Sequence, residues 1–256
     1  MSTGITTSNL IVFLLVLLRV GAWVWITPPF GGKMLPPLVR VGLSIALSLP
    51  LTAPAAAAMT EVPTTAGPLL WAAFENVMIG VALGLACLGL LSAVQSAGAL
   101  IDVTGGFSLS SAYDPMAMQQ GAVMSRIYQL TAGVLLLVSS GYMLLLQGFG
   151  NTFEILPGDG SLDLTATSRT LATVLSTMFV AALQIAGPIV GVAFLADVAL
   201  ALMTRVAPAL NAFSLAFPLK IGLTLMLLVI AVPMLPPAVV GLSEQAVDAM
   251  SAIAGH

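Results

Sequence analysis

The stretch LLWAAFENVMIGVALGLACLGLLSAVQSAGALI, residues 69–101, carries a single charge, Glu75, and no alternation of apolar and polar residues. A run this apolar reads as a membrane helix, because a helix satisfies its own backbone hydrogen bonds and hydrocarbon offers no others. At 1.5 Å per residue it would be about 50 Å long. The hydrocarbon core is only about 30 Å thick, and tilt does not absorb that difference. The helix must therefore bend, form a hairpin or project into other protein. Residues 170–203 pose the same problem, with Pro188 in Gly187-Pro188-Ile189-Val190-Gly191 as a natural kink.

Working outward from this stretch, the apolar segments run roughly 10–26, 38–59, 69–101, 123–149, 170–203 and 221–240, and Pro or Gly punctuates each break. The fold class is all-α: an integral membrane protein of about six long, bent hydrophobic helices forming hairpins. The chain reads as one membrane domain, 1–256, with 241–256 a short C-terminal tail. The first 26 residues lack a positive leading region and read as a retained membrane segment. Hydrophobic residues make up 59% of the 256 and charged residues 7%, against about a quarter charged in soluble domains. Mean hydropathy is +1.10. A net charge of −3 argues against nucleic acid as a partner, and the composition makes membrane lipid the surroundings.

The few charges are sorted. Lys33, Arg40, Arg126, Arg205 and Lys220 lie in or beside the first, third and fifth breaks. The second and fourth hold Glu61, Glu154, Asp159 and Asp163 against Arg169 alone. The positive-inside rule then places the odd breaks in the cytoplasm and both termini outside.

Arg19, Glu75 and Asp197 lie inside apolar runs, where an ion faces a partner or a wet cavity. Three isolated charges are too few to prefer a proton relay over structural pairing. Gly80-x-x-x-Gly84 and Gly187-x-x-x-Gly191 permit close helix approach. Residues 102–122 mix Gly, Ser and Gln with Phe107, Leu109, Tyr113, Met116 and Met118, and a loop this long tends to carry function. Catalysis has little support. The sole histidine is His256, the sole cysteine Cys87 lies in an apolar run, and there is no metal-spaced His/Cys set or phosphate loop. No catalytic, metal-binding or cofactor-binding residue is assigned, and no cofactor is expected.

An ordered set of short blocks then resembles the flagellar biosynthetic FliR family. The blocks are Arg19-Val20-Gly21-Ala22-Trp23, Pro28-Pro29-Phe30-Gly31, Pro36-Pro37-Leu38-Val39-Arg40, Gly105-Gly106-Phe107-Ser108-Leu109-Ser110 and Tyr113-Asp114-Pro115. They continue with Ala196-Asp197, Arg205, Ala207-Pro208-Ala209-Leu210-Asn211-Ala212-Phe213 and Phe217-Pro218-Leu219-Lys220. The resemblance implies a non-enzymatic subunit of the flagellar type III export gate in the bacterial inner membrane and basal body. Its implied partners are FliP-like and FliQ-like gate subunits, FlhB-like and FlhA-like export components, and unfolded export substrates. It implies bent hairpins within a hetero-oligomeric gate and a pore plug at about 105–120. Assigned to plug and gating are Gly105, Gly106, Phe107, Ser108, Leu109, Tyr113, Asp114, Pro115, Met116 and Met118. Structure and assembly fall to Arg19, Pro28, Pro29, Glu75, Gly187, Pro188, Asp197, Arg205, Pro208, Asn211, Phe217, Pro218 and Lys220. The equivalent injectisome subunit is the alternative within the family. A small secondary transporter is the alternative outside it, disfavoured by the lack of an internal repeat.

Overall fold

The computed structural model describes residues 7–32, 35–107, 123–206 and 212–255. Among these are eight α-helices: α1 (Thr7–Ile26), α2 (Pro37–Ala58), α3 (Ala66–Thr104), α4 (Val123–Val138), α5 (Gly141–Ile155), α6 (Leu164–Val206), α7 (Ala212–Ala231) and α8 (Leu235–Ala254). A 3-10 turn, Val232–Met234, joins the last two. The protein is thus an all-α, multi-pass membrane protein. Five stretches among the described residues are long and apolar enough to cross a membrane, or up to six if the bent pair α4–α5 is one span.

The overlong segments are continuous helices of 39 residues (α3) and 43 residues (α6). Pro188 lies inside α6, and Pro50 and Pro54 lie inside α2. In α2 the hydroxyls of Ser44, Ser48 and Thr52 donate to the carbonyls of Arg40, Ser44 and Ser48 at 2.8, 2.6 and 2.7 Å. Polar side chains are thereby absorbed by their own helix, which an apolar environment requires.

Several boundaries differ from the sequence reading: α6 starts at Leu164, α7 starts at Ala212, and the 3-10 turn Val232–Met234 splits the 221–240 run. The fourth apolar segment breaks at Ser139-Ser140, before Gly141, although hydropathy runs on through it. Serine hydroxyls compete for backbone bonds and glycine adds freedom, so the pair is a weak point in the helix. The fourth interhelical break starts only at Leu156, because α5 carries Gly150 to Ile155. Residues 241–254 are not a tail. They complete α8, whose Leu242, Ser243, Ala246, Ala249, Met250 and Ile253 are buried at helical spacing while Glu244 and Asp248 face outward.

The chain divides into two compact units. The first comprises Met1–Leu90, Ser140–Ser176 and Leu242–His256. Its core draws Leu15, Val16 and Trp23 from α1, Ile79, Leu83 and Cys87 from α3, Phe149 and Phe153 from α5, and Met250 from α8, all buried. The Trp23 and Phe149 rings stack at 4.4 Å, and Phe153 meets Phe149 edge-on at 5.5 Å. The second unit comprises Leu91–Ser139 and Thr177–Gly241. Its core draws Val94, Ala97 and Ile101 from α3, Tyr128 and Leu136 from α4, and Ala186, Ile189 and Ala193 from α6. Much of α6 and α7 remains outward and apolar, as at Phe179, Leu183, Phe194, Leu195, Met226 and Val229.

Candidate functional site: a buried arginine node and the two ends of the 105–120 segment

Arg19 is completely buried on α1. A buried charge survives only where its donors are matched. Here Nε donates to Oδ1 of Asn76 at 3.0 Å, Nη1 to the Leu156 carbonyl at 2.7 Å and Nη2 to the Pro157 carbonyl at 3.2 Å. The guanidinium also lies 4.5 Å over the Phe153 ring. Asn76 in turn donates to the carbonyls of Ala72 and Gly158 at 2.7 and 2.8 Å. Three consecutive carbonyls after α5 are therefore satisfied by two side chains from α1 and α3. The partners of Arg19 are all neutral.

The next residue, Asp159, extends the node. Its Oδ2 accepts the Thr60 amide at 2.9 Å, the Thr60 hydroxyl at 2.6 Å and the Glu61 amide at 3.2 Å. Partial burial pushes this carboxyl up, but the hydrogen bonds from Thr60 and Glu61 outweigh burial and hold it below the usual carboxylate range. The second and fourth interhelical breaks are thus hydrogen-bonded together. They are the two breaks that the charge pattern leads one to expect on the same side of the membrane.

Gly80 and Gly84 let α3 approach α1 closely enough for the node. A Cβ on Gly80 would strike the Arg19 carbonyl and lie 2.8 Å from the Ala22 Cβ, and one on Gly84 would lie 2.9 Å from the Ile26 Cβ. Gly187 and Gly191 have nothing within 4 Å, so that second small-residue pair is open on this chain. Pro28 and Pro29 stand half-buried in the turn after α1, where the Gly31 amide returns to the Thr27 carbonyl at 2.8 Å. Glu75 is half-buried with Trp71, Glu61 and Asp159 around an open cleft of about 490 Å³.

In the second unit, α3 ends at Thr104. The Gly105 amide closes the last turn on the Ile101 carbonyl at 2.8 Å, and Gly106 reverses the chain with φ 82°. A Cβ on Gly105 would meet the Thr224 hydroxyl oxygen at 2.9 Å. Phe107 follows, half-buried. The remaining plug candidates, Ser108, Leu109, Tyr113, Asp114, Pro115, Met116 and Met118, lie outside the described residues. So do Pro208 and Asn211, and so does the side chain of Phe217. Pro218 lies within α7.

Asp197 and Lys220 form an ion pair between α6 and α7. Half of the Asp197 side chain is exposed and 17% of that of Lys220. This corrects the expectation of a buried ion at 197: within this chain the carboxylate sits at the edge of the α6 packing face. Pro188 and Arg205 are exposed on α6. Among the described residues, no three His, Cys, Asp or Glu side chains gather where they could hold a metal.

Two residues outside the sequence-based set matter most to this arrangement. Asn76 carries no charge and is hidden in the 69–101 run. Asp102 reads as the start of a loop, yet it is buried, and its two carboxylate oxygens accept the amides of Met124 and Ser125, each at 2.9 Å. Its place at the end of an apolar run was visible; its target was not.

The family model described as bacterial export proteins, family 1, matches residues 10–246. The flagellar biosynthetic protein FliR of Bacillus subtilis is 28% identical over 225 residues, covering 85% of each chain. That of Escherichia coli is 29% identical over 221 residues, covering 86% of this chain and 84% of its own. The surface presentation of antigens protein SpaR of Salmonella typhimurium is 28% identical over 173 residues, 67% of this chain and 65% of its own. A match over nearly the whole of a chain whose helices satisfy themselves in this way establishes that the protein belongs to the bacterial export proteins, family 1.

Proposed function

We propose that this chain is a subunit of the flagellar type III protein-export gate in the bacterial inner membrane and basal body. In this reading it assembles with FliP-like and FliQ-like subunits, works with FlhB-like and FlhA-like components, and helps to line and close a pore for unfolded substrates. It is not itself an enzyme. The observation that carries the reading is the match of residues 10–246 to an export family, with FliR-named relatives aligned over about 85% of the chain. The apolar outward faces of α6 and α7 support it, since they leave long helices for protein neighbours to cover. The flagellar assignment is preferred to the injectisome one because the Salmonella SpaR protein aligns over only 67% of this chain.

Residues 105–120 serve as the plug in this reading. Deletion of 107–118 should leave the complex assembled but leaky to small ions, measured as conductance in planar bilayers. An assembled deletion complex that stays tight and exports at the normal rate would overturn the plug. Restoration of swimming to a flagellate strain lacking its own FliR tests the flagellar assignment.

A further inference from the structure

Asp102 lies in the last turn of α3, with a side chain only 3% exposed. Its Oδ1 accepts the Met124 amide and its Oδ2 the Ser125 amide, each at 2.9 Å. These amides belong to the first turn of α4, where backbone donors have no partner within their own helix. A carboxylate there matches both the orphan donors and the positive end of the helix dipole. Two further features lock the same junction, and a third contact lies beside it. The Ser125 hydroxyl donates to the Gln95 carbonyl at 3.3 Å. A Cβ on Gly98 would fall 2.7 Å from the Met124 carbonyl oxygen and the Ser125 Cα, so α3 and α4 touch backbone to backbone. Gly105 closes against Thr224 of α7 just beyond.

We propose that Asp102 is a clasp holding the last turns of α3 to the first turn of α4 through the export cycle, so that the two helices bordering the 105–120 stretch stay joined while a substrate passes. The observation behind this is the saturation of one buried carboxylate by two consecutive amides, at a contact too close for any side chain at Gly98. Parting α3 from α4 would strand a carboxylate and two amides in an apolar interior. Asp102 is a positioning residue and touches no substrate. The proposal rests on the export-gate reading, but not on the plug.

Amide hydrogen exchange at residues 123–126 tests it in the assembled gate, idle and with a stalled substrate. The Met124 and Ser125 amides should be protected equally in both states. Asp102→Ala should speed their exchange by about ten- to a hundred-fold. Asp102→Asn should give a smaller rise, since its amide offers one acceptor oxygen in place of two, and it serves as the test if the alanine variant does not assemble. Exchange that rises when substrate occupies the gate, or that neither substitution changes, would overturn the clasp. A tight, fully active 107–118 deletion alongside protected amides would remove the plug and leave the clasp standing.

Discussion

Among the described residues Asn76 is the only side chain that accepts a hydrogen bond from Arg19, and it is an amide rather than a carboxylate: Arg19 Nε donates to its Oδ1 at 3.0 Å while its Nδ2 serves the carbonyls of Ala72 and Gly158. A carboxylate at 76 could neutralise the arginine but could donate to neither carbonyl. The geometry therefore selects an amide. Asn76→Asp should destabilise the chain even though it creates an ion pair, because the buried Gly158 carbonyl loses its donor, the Ala72 carbonyl loses its second one, and both then face a carboxylate. A thermal melt of the partner complex in mild detergent that rises for Asn76→Asp would refute this account of the node.

Arg19 itself supports three acceptors, two of them buried. Arg19→Ala leaves Asn76 Oδ1 and the Leu156 carbonyl unmatched, at about 1–3 kcal/mol each or about 2–6 kcal/mol in all, while the Pro157 carbonyl keeps the Gly160 amide at 3.0 Å. Arg19→Lys keeps the charge but offers a compact ammonium in place of a planar fork. It should recover less than half of the loss, read as melting temperature or as the fraction of protein surviving in the membrane. Full recovery by lysine would mean that charge, not fork geometry, is what this position needs.

Asp159 gives the node a dependence on pH. Its folded-state pKa lies below the ordinary 3.8, so the ionised form is the one that the Thr60 and Glu61 hydrogen bonds stabilise. That stability is fully present above about pH 5 and is lost as pH falls below 3.8 through the folded value. Wild type should therefore lose stability along an acid limb that Asp159→Asn flattens, with little difference in that slope between pH 6 and 8. The effect should be small, because the carboxylate is only partly buried. An unchanged acid limb in the variant would remove Asp159 from the account.

The two small-residue pairs make opposite forecasts. Gly80→Ala drives a Cβ into the Arg19 carbonyl, and overpacking of this kind costs about 1–3 kcal/mol. The Gly187 and Gly191 positions are open, so alanine there should leave the chain's own stability unchanged. Leucine at Gly187 and Gly191 should instead block close approach by a neighbouring helix and lower co-purification with partner subunits. Normal assembly of that double variant would assign the α6 notch to lipid.

The sequence made five of the apolar segments legible because Pro, Gly and charge cluster where helices end. It concealed the break at Ser139-Ser140, since hydropathy averages over two serines flanked by Leu135–Val138 and Tyr142–Leu146. The helix at 241–254 was also hidden: Glu244 and Asp248 lie on one face, and reading them as charge alone obscures the buried 3.6-residue stripe of Leu242, Ala246, Ala249 and Ile253. Arg19 stood out as an ion in an apolar run, but its partners are an amide and backbone carbonyls. Those carry no sequence signature and lie 57 to 138 residues away. Asp102 was visible, but which amides it accepts depends on how α4 returns to α3.

Asp197 and Lys220 offer the sharpest separation of a structural role from a proton relay. As a pair that is half exposed on this chain, they contribute about 1 kcal/mol or less to its own stability. Surrounded by outward Phe194, Leu195 and Val198, however, the carboxylate cannot face lipid without penalty and calls for protein or water beside it. Asp197→Lys and Lys220→Asp should each weaken assembly by placing like charges together. The exchanged double variant should restore co-purification and export together, because the pair is reformed with its ends reversed. A relay requires a carboxylate at 197 itself. If Asp197→Asn assembles normally yet stops export, and the exchanged pair assembles without restoring it, the residue moves protons and the structural assignment is wrong.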